Sequence, residues 1–110
     1  MKLNLNIDQQ SYELEVQDAL ITELKPVFDD MDKEYDKGIQ LGRYWTDEPD
    51  AEQRCQISMN KLINAMHNED KRTLYTMAAY IVYKFPDVQL ITSSSDFEIH
   101  EIDIQLKGEI

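Results

Sequence analysis

The stretch KLNLNIDQQSYELEV, residues 2–16, decides the fold class, because apolar and polar residues alternate on both sides of a short polar segment. Alternation at every second residue is typical of a β-strand with one buried face. The apolar set comprises Leu3, Leu5, Ile7, Tyr12, Leu14 and Val16. Residues 8–11 are polar and separate the two halves, so the stretch predicts a β-hairpin whose apolar side forms the floor of a core.

From Asp18 onward the apolar spacing changes to three and four residues, which predicts helices. We expect the first helix over residues 26–45, because proline suits a first helical turn better than a helix interior. Its apolar stripe comprises Val27, Phe28, Met31, Tyr35 and Ile39. Gly38 and Gly42 lie four residues apart in this segment and predict a shallow groove for close backbone contact, preferably within the chain. Gly38 alternatively marks an earlier helix end.

Residues 46–50 contain capping oxygens, acids and a proline, and this composition predicts the start of a second helix that runs to about His67. Its apolar stripe comprises Ala51, Cys55, Met59, Leu62 and Met66. A polar turn over residues 67–70 precedes a third helix, which is apolar on most sides and ends before Pro86. A helix that is apolar on most sides is usually central, so the third helix is expected in the core.

The remaining chain predicts a third strand over residues 88–91, a turn over 93–96 and a fourth strand over 97–106. A bulge near His100 and Glu101 would reconcile the two parities of its apolar residues. Strands at both ends with helices between them favour one α+β domain over residues 1–110. We therefore expect the order β-β-α-α-α-β-β, with an antiparallel sheet and the three helices packed on one face.

Composition restricts the classes of partner. The 110 residues carry 22 acids, 11 Lys or Arg and a net charge of -11. Such a surface repels phosphate backbones and anionic headgroups, so we expect no nucleic acid and no membrane as partners. The start of the chain lacks the continuous apolar run of a signal peptide, and a lone cysteine suits a reducing compartment. The expected location is the cytoplasm.

The residue types used in catalysis and metal binding do not form a recognisable motif in this sequence. The acidic run 29–36 fails the calcium-loop pattern, since Tyr35 stands where glycine is needed and Leu41 where a bidentate glutamate is needed. We interpret this run as a solvated helix face, with a weak surface cation site as the alternative. Cys55, His67 and His100 lack the close spacing of a zinc site. We therefore predict no catalytic residues, no metal site and no cofactor.

One tripeptide stands out as a partner-binding candidate. Arg43, Tyr44 and Trp45 belong to the three residue types enriched at interface hot spots, and Trp45 is the single tryptophan of the chain. The alternative interpretation is that Trp45 closes the core at a helix end. The solvent exposure of its side chain distinguishes these two interpretations.

These observations favour a small acidic cytoplasmic protein-interaction or regulatory domain without catalytic activity, acting on another protein, preferably a basic one. A nucleic-acid-mimicking inhibitor of a DNA-binding protein is the first alternative, because residues 29–52 carry nine acids against three bases. A small enzyme or metal-binding protein using His67, His100 and carboxylates is a weaker one. A homodimer is an independent alternative, since small domains with edge strands can pair with a second copy.

Overall fold

The fold has two sheets and three helices that share one core, and it confirms the predicted α+β class. A computed structural model describes residues 1–108. Its elements are β1 (Lys2–Ile7), β2 (Gln10–Glu15), α1 (Asp18–Asp36), β3 (Ile39–Leu41), β4 (Tyr44–Thr46), α2 (Ala51–His67), α3 (Lys71–Lys84), β5 (Val88–Ser93), a 3-10 turn (Ile99–Glu101) and β6 (Asp103–Leu106).

The first hairpin forms as its alternation predicts. β1 and β2 pair antiparallel, with Leu3 opposite Leu14 and Leu5 opposite Tyr12, so these side chains share one face. That face belongs to the same hydrophobic core as buried residues of all three helices. The opposite face carries exposed polar residues such as Asn4 and Glu13. The helices therefore cover one side of the sheet, as expected.

The larger sheet is mixed, which corrects the prediction of an antiparallel sheet. Its strand order is β2-β1-β5-β6, and β1 pairs with β5 in parallel, with Leu5 beside Ile91. Phe85, just after α3, and Val88, the first residue of β5, line the same depression as Leu3 near the start of β1. β5 thus begins beside the start of β1 and runs in the same direction. The three helices supply the long crossover that parallel strands require. The alternation of apolar residues indicates which face of a strand is buried, but it does not indicate whether neighbouring strands run parallel or antiparallel.

Helix α1 begins at Asp18, eight residues before the predicted start at Pro26. Pro26 lies inside the helix on its exposed side, where water can bond the carbonyl that loses its backbone donor. The inward residues repeat at three and four positions on both sides of the proline, and this burial holds the helix together. They are Ile21, Leu24, Phe28, Met31 and Tyr35. Proline was therefore the wrong marker of the helix start.

The end of α1 and the following segment also differ from the prediction of helix through residue 45. Gly38 has a φ of +109°, a conformation that side chains other than glycine rarely adopt, and the helix ends just before it. Gly42, with a φ of +62°, lies in the tight turn between β3 and β4. The predicted helical groove between the two glycines is wrong, whereas the alternative that Gly38 marks an earlier helix end is confirmed.

Helix α2 occupies the predicted segment. Asp50 caps it by accepting a hydrogen bond of 2.8 Å from the backbone N–H of Gln53, and the Gln53 side chain accepts one of 2.9 Å from the backbone N–H of Asp50. This reciprocal pair is a capping box. Helix α3 lies against α2 and α1, and its central residues Ala78, Tyr80 and Ile81 are buried, so the prediction of a core helix is confirmed.

The last strand is shorter than predicted. β6 covers Asp103–Leu106, and the residues before it form the 3-10 turn Ile99–Glu101 in place of the expected bulge near His100 and Glu101. A short helical turn changes the parity of the apolar residues just as a bulge would. The irregularity in strand pairing lies in β5, between Val88 and Leu90.

The turn of the first hairpin predicts a stabilising substitution. Asp8 and Gln9 have φ values of +52° and +69°, which is the signature of a type I′ turn built without glycine. Left-handed backbone costs an ordinary residue about 1 to 2 kcal/mol, against about 0.4 to 1 kcal/mol for the greater unfolded-state freedom of glycine. We expect Gln9→Gly to raise the free energy of unfolding by about 0.5 to 1 kcal/mol, measured by urea denaturation.

The matched control is Ser11→Gly, on the exposed face of β2 and in extended backbone. At this position glycine relieves no backbone strain, because extended backbone suits any residue. The substitution should therefore lower the free energy of unfolding by about 0.5 to 1 kcal/mol. Equal losses at both positions would contradict the strain assigned to Gln9.

Candidate functional site

The sequence-predicted site lies on the β3–β4 hairpin. Ile39 and Leu41 of β3 are buried and attach the hairpin to the core. Arg43 lies in the turn, while Tyr44 and Trp45 begin β4. The three candidate residues are therefore brought together on a short projecting element whose base is fixed by apolar packing.

Trp45 lies on the outer face of the hairpin and is 58% exposed. It pairs across the strands with Gln40, and its indole ring covers the backbone at Gly38. A Cβ atom at Gly38 would lie 2.8 Å from Cε2 of the indole, so only glycine leaves room for this contact. The indole Nε1 donates a hydrogen bond of 2.6 Å to Oδ1 of Asp47. The ring is thus fixed in orientation while most of its surface remains in solvent, so the interpretation that Trp45 closes the core is wrong.

Tyr44 is 62% exposed and lies on the opposite face, because neighbouring strand residues point to opposite sides. Its cross-strand partner is the buried Leu41, and its ring meets the His100 ring edge-on, with 6.4 Å between centroids. Arg43, Tyr44, Glu98 and His100 line a depression of about 140 Å³. The predicted tripeptide therefore presents two separate surfaces, one at Trp45 and one at Tyr44.

Gln56 holds the loop that faces Tyr44. This buried side chain donates from Nε2 to the backbone oxygens of His100 and Ile102, at 3.0 and 3.1 Å. It ties the 3-10 turn to α2 and so fixes one wall of the depression. Gln56 was not predicted from the sequence, although its position directly after Cys55, a residue of the apolar stripe of α2, was a signal for a buried polar contact. Asp47, the partner of the indole, was not predicted either.

The acidic run 29–36 is only partly a solvated helix face. Asp32 is half-buried and receives a hydrogen bond of 2.7 Å from the Tyr80 hydroxyl and another of 2.7 Å from Nζ of Lys84. Arg54 lies 3.6 Å from the same carboxylate and bonds Asp36 at 2.6 Å. Burial alone would raise the pKa of Asp32, but the hydrogen bonds from Lys84 and Tyr80 and the nearby cations lower it below its ordinary value. Cations of the chain itself neutralise this carboxylate.

The cysteine and the two histidines lie in different surroundings. Cys55 is buried, and burial raises the pKa of its thiol to about 12, which disfavours the reactive thiolate. His67 lies at the exposed end of α2, and His100 lies beside Tyr44. Across residues 1–108, no group of three His, Cys, Asp or Glu side chains is arranged to hold a metal ion.

Comparison of the chain with protein-family models, with curated proteins and with solved structures finds no match. Within the described part of the chain, no helix is both long enough and apolar enough to cross a membrane. Function is therefore inferred from the hairpin and its surroundings alone.

The contact between the indole and Gly38 predicts a substitution that displaces the ring. Gly38→Ala places a methyl group in the space of the Trp45 ring and forces alanine into a left-handed conformation. We expect a loss of about 1 to 3 kcal/mol in the free energy of unfolding. The emission maximum of Trp45, the single tryptophan, should shift as the ring leaves its position.

Gly108→Ala is the control for this substitution. Gly108 also has a positive φ, but a Cβ there would meet nothing within 4 Å. The emission of Trp45 should be the same in this variant as in the natural protein. An unshifted emission in Gly38→Ala would show that the indole does not depend on the glycine.

The charge cluster at Asp32 predicts a pH-dependent loss of stability. Asp32→Asn removes the charge that Lys84 and Arg54 face, and we expect a cost of about 1 to 3 kcal/mol at pH 7. Since folding lowers the pKa of Asp32 below 3.8, its contribution is complete above that value and is lost as the pH falls through the lowered pKa. Denaturation of both proteins between pH 7 and pH 2, in steps of about one unit, measures this.

The exposed neighbour Asp30 supplies the matched control, since Asp30→Asn removes the same charge from the same helix. This variant should differ from the natural protein by less than about 0.5 kcal/mol at every pH. An equal loss in both variants would assign the effect to net charge rather than to the cluster.

Proposed function

We propose that this chain is a protein-interaction domain that binds its partner through the β3–β4 hairpin, with Trp45 as the principal anchor. Arg43 and Tyr44 contribute the second surface of the same element. The observation that carries the proposal is that Trp45 is 58% exposed and yet held by Gly38 and by the hydrogen bond to Asp47. A domain without a binding role gains little from fixing its single tryptophan in solvent.

The energetics of an exposed, oriented indole support this role. A large aromatic side chain presents about 150 to 250 Å², and covering half of it at about 25 cal/mol per Å² yields about 2 to 3 kcal/mol. Because the ring already has its orientation, binding loses little side-chain entropy. The buried residues Ile39 and Leu41 hold the backbone beneath it, which reduces the cost of ordering the hairpin. One such residue can dominate the affinity of an interface.

The charge of the chain defines the kind of partner. A net charge of -11 accelerates encounter with a basic protein and opposes encounter with nucleic acid or an anionic membrane. We therefore assign a basic protein of the cytoplasm as the partner. The role requires no catalytic residue, metal or cofactor, and a regulatory function follows if the partner's own activity changes on binding.

Nucleic-acid mimicry has less support than binding of a protein partner through the hairpin. Mimicry needs carboxylates that are free to meet a basic surface in place of phosphates. Three of the nine acids in residues 29–52 already form ion pairs with cations of the chain. These are Asp32, Glu34 and Asp36.

A comparison of two aromatic variants tests the proposal. We expect Trp45→Ala to lose a partner that the natural protein captures from cytosolic extract and to weaken the purified complex by about 30-fold or more, as measured by calorimetry. The folded core should be retained, because Trp45 lies outside it. Circular dichroism and the melting temperature check this.

Tyr75→Ala provides the control, because Tyr75 is also an exposed aromatic residue, 37% accessible, on α3. It should bind the purified partner as the natural protein does. Equal affinity of the Trp45→Ala and natural proteins for every captured partner would overturn the proposal.

A further inference from the structure

The free surface of the indole defines what it can bind. The Cε2 and Cζ2 atoms of the Trp45 ring lie against Gly38, and Nε1 is already bonded to Asp47. The exposed area of Trp45, which is 58% accessible, therefore belongs to the parts of the ring away from these two contacts. An indole whose N–H is occupied recognises a partner through its negative π face, and tryptophan has the strongest such face among the aromatic residues.

A carboxylate lies at the edge of that face. Asp47 is exposed and accepts the indole N–H through Oδ1, while a carboxylate has room for several donors. Glu48, also exposed, follows directly in the chain. A cation placed over the ring would thus meet a negative charge at its rim, so that attraction to the π face and a charge-assisted hydrogen bond act on the same group.

The cations of this chain are placed elsewhere. Lys25 and Lys84 approach the ring of Tyr83, and Lys61 lies over Tyr35, 4.9 Å from the ring centre. Among residues 1–108, no lysine or arginine covers Trp45 in this way. Arg43, the cation of the hairpin itself, lines the depression beside Tyr44 on the opposite face. The exposed part of the Trp45 ring is therefore available to a cation from outside.

We propose that Trp45 and Asp47 form a receptor for an arginine side chain carried by a basic segment of the partner. Arginine fits better than lysine because its planar guanidinium can stack on the indole and donate to the adjacent carboxylate at the same time. The overall charge of -11 complements a segment rich in such residues. This inference rests on the proposed function and specifies the chemistry of its partner.

Three short peptides test the receptor. They are pentapeptides that alternate glycine with two arginines, two lysines or two citrullines, acetylated and amidated at their ends. Quenching of the single tryptophan reports binding directly. We expect saturable quenching by the arginine peptide, a dissociation constant about 2- to 5-fold higher for the lysine peptide, and no saturation with the uncharged citrulline peptide.

Two charge variants separate the receptor from general attraction to an acidic protein. Asp47→Asn keeps an acceptor for the indole N–H but removes the charge. It should raise the dissociation constant of the arginine peptide by about 5-fold or more. Asp18→Asn removes the same charge at the other end of α1, about 27 Å along the helix from Asp36, and should leave the affinity unchanged. Trp45→Leu, followed by calorimetry, should abolish saturable binding.

Several results would overturn the receptor. Equal affinities for arginine and lysine peptides, with equal losses in Asp47→Asn and Asp18→Asn, would show general charge attraction. Saturable quenching by the citrulline peptide would show an uncharged stacking site. If no peptide binds while Trp45→Ala still loses its protein partner, the proposed function is supported and the arginine receptor is overturned. If the peptides bind at Trp45 but no protein partner depends on Trp45, the receptor is supported and the proposed function is overturned.

Discussion

The carboxylate of Asp32 holds the three helices in register. It lies on α1, accepts hydrogen bonds from Tyr80 and Lys84 of α3, and faces the guanidinium of Arg54 on α2. A partly buried carboxylate is tolerable only where donors and cations replace its lost water, so the three helices must approach in the one arrangement that supplies them. Arg54 also donates from Nε to the backbone oxygen of Pro49, at 3.1 Å, which fixes the segment that follows β4. Arg54 therefore connects the charge cluster in the helical layer to the segment that follows the hairpin.

The predictable parts of this fold are those whose local pattern allows one solution. Apolar and polar residues alternate so regularly over residues 2–16 that only a hairpin with one buried side accommodates the pattern. Both strands form, and the apolar residues lie on the expected face. Helix α2 was predictable because Asp50 and Gln53 satisfy its first backbone donors within four residues of sequence. The candidate hairpin residues were identified by type, although they were assigned to the wrong kind of element.

The parts that resisted prediction depend on contacts distant in sequence or on backbone angles. Pro26 is compatible with the interior of α1 because its side of the helix faces water, and exposure follows from the tertiary packing. Gly38 and Gly42 show the helical spacing of four, but their positive φ values belong to a helix end and a turn. The seat of the indole on Gly38 and the bond to Asp47 require β3 to fold back on β4, so the Trp45 surface could be inferred only once the structure was known.

The parallel pairing of β1 with β5 has a consequence for how the protein is made. The two central strands of the sheet come from distant parts of the chain, and the hydrogen bond from Ser94 to Asp8 joins residues 86 positions apart. Contacts of such long sequence separation slow folding, because the chain must close a large loop before the pairing repays it. During synthesis the first hairpin leaves the ribosome long before its neighbour, and its apolar face and open β1 edge stay uncovered meanwhile. A nascent chain in this state is exposed to aggregation, and to chaperones that recognise unpaired strand edges.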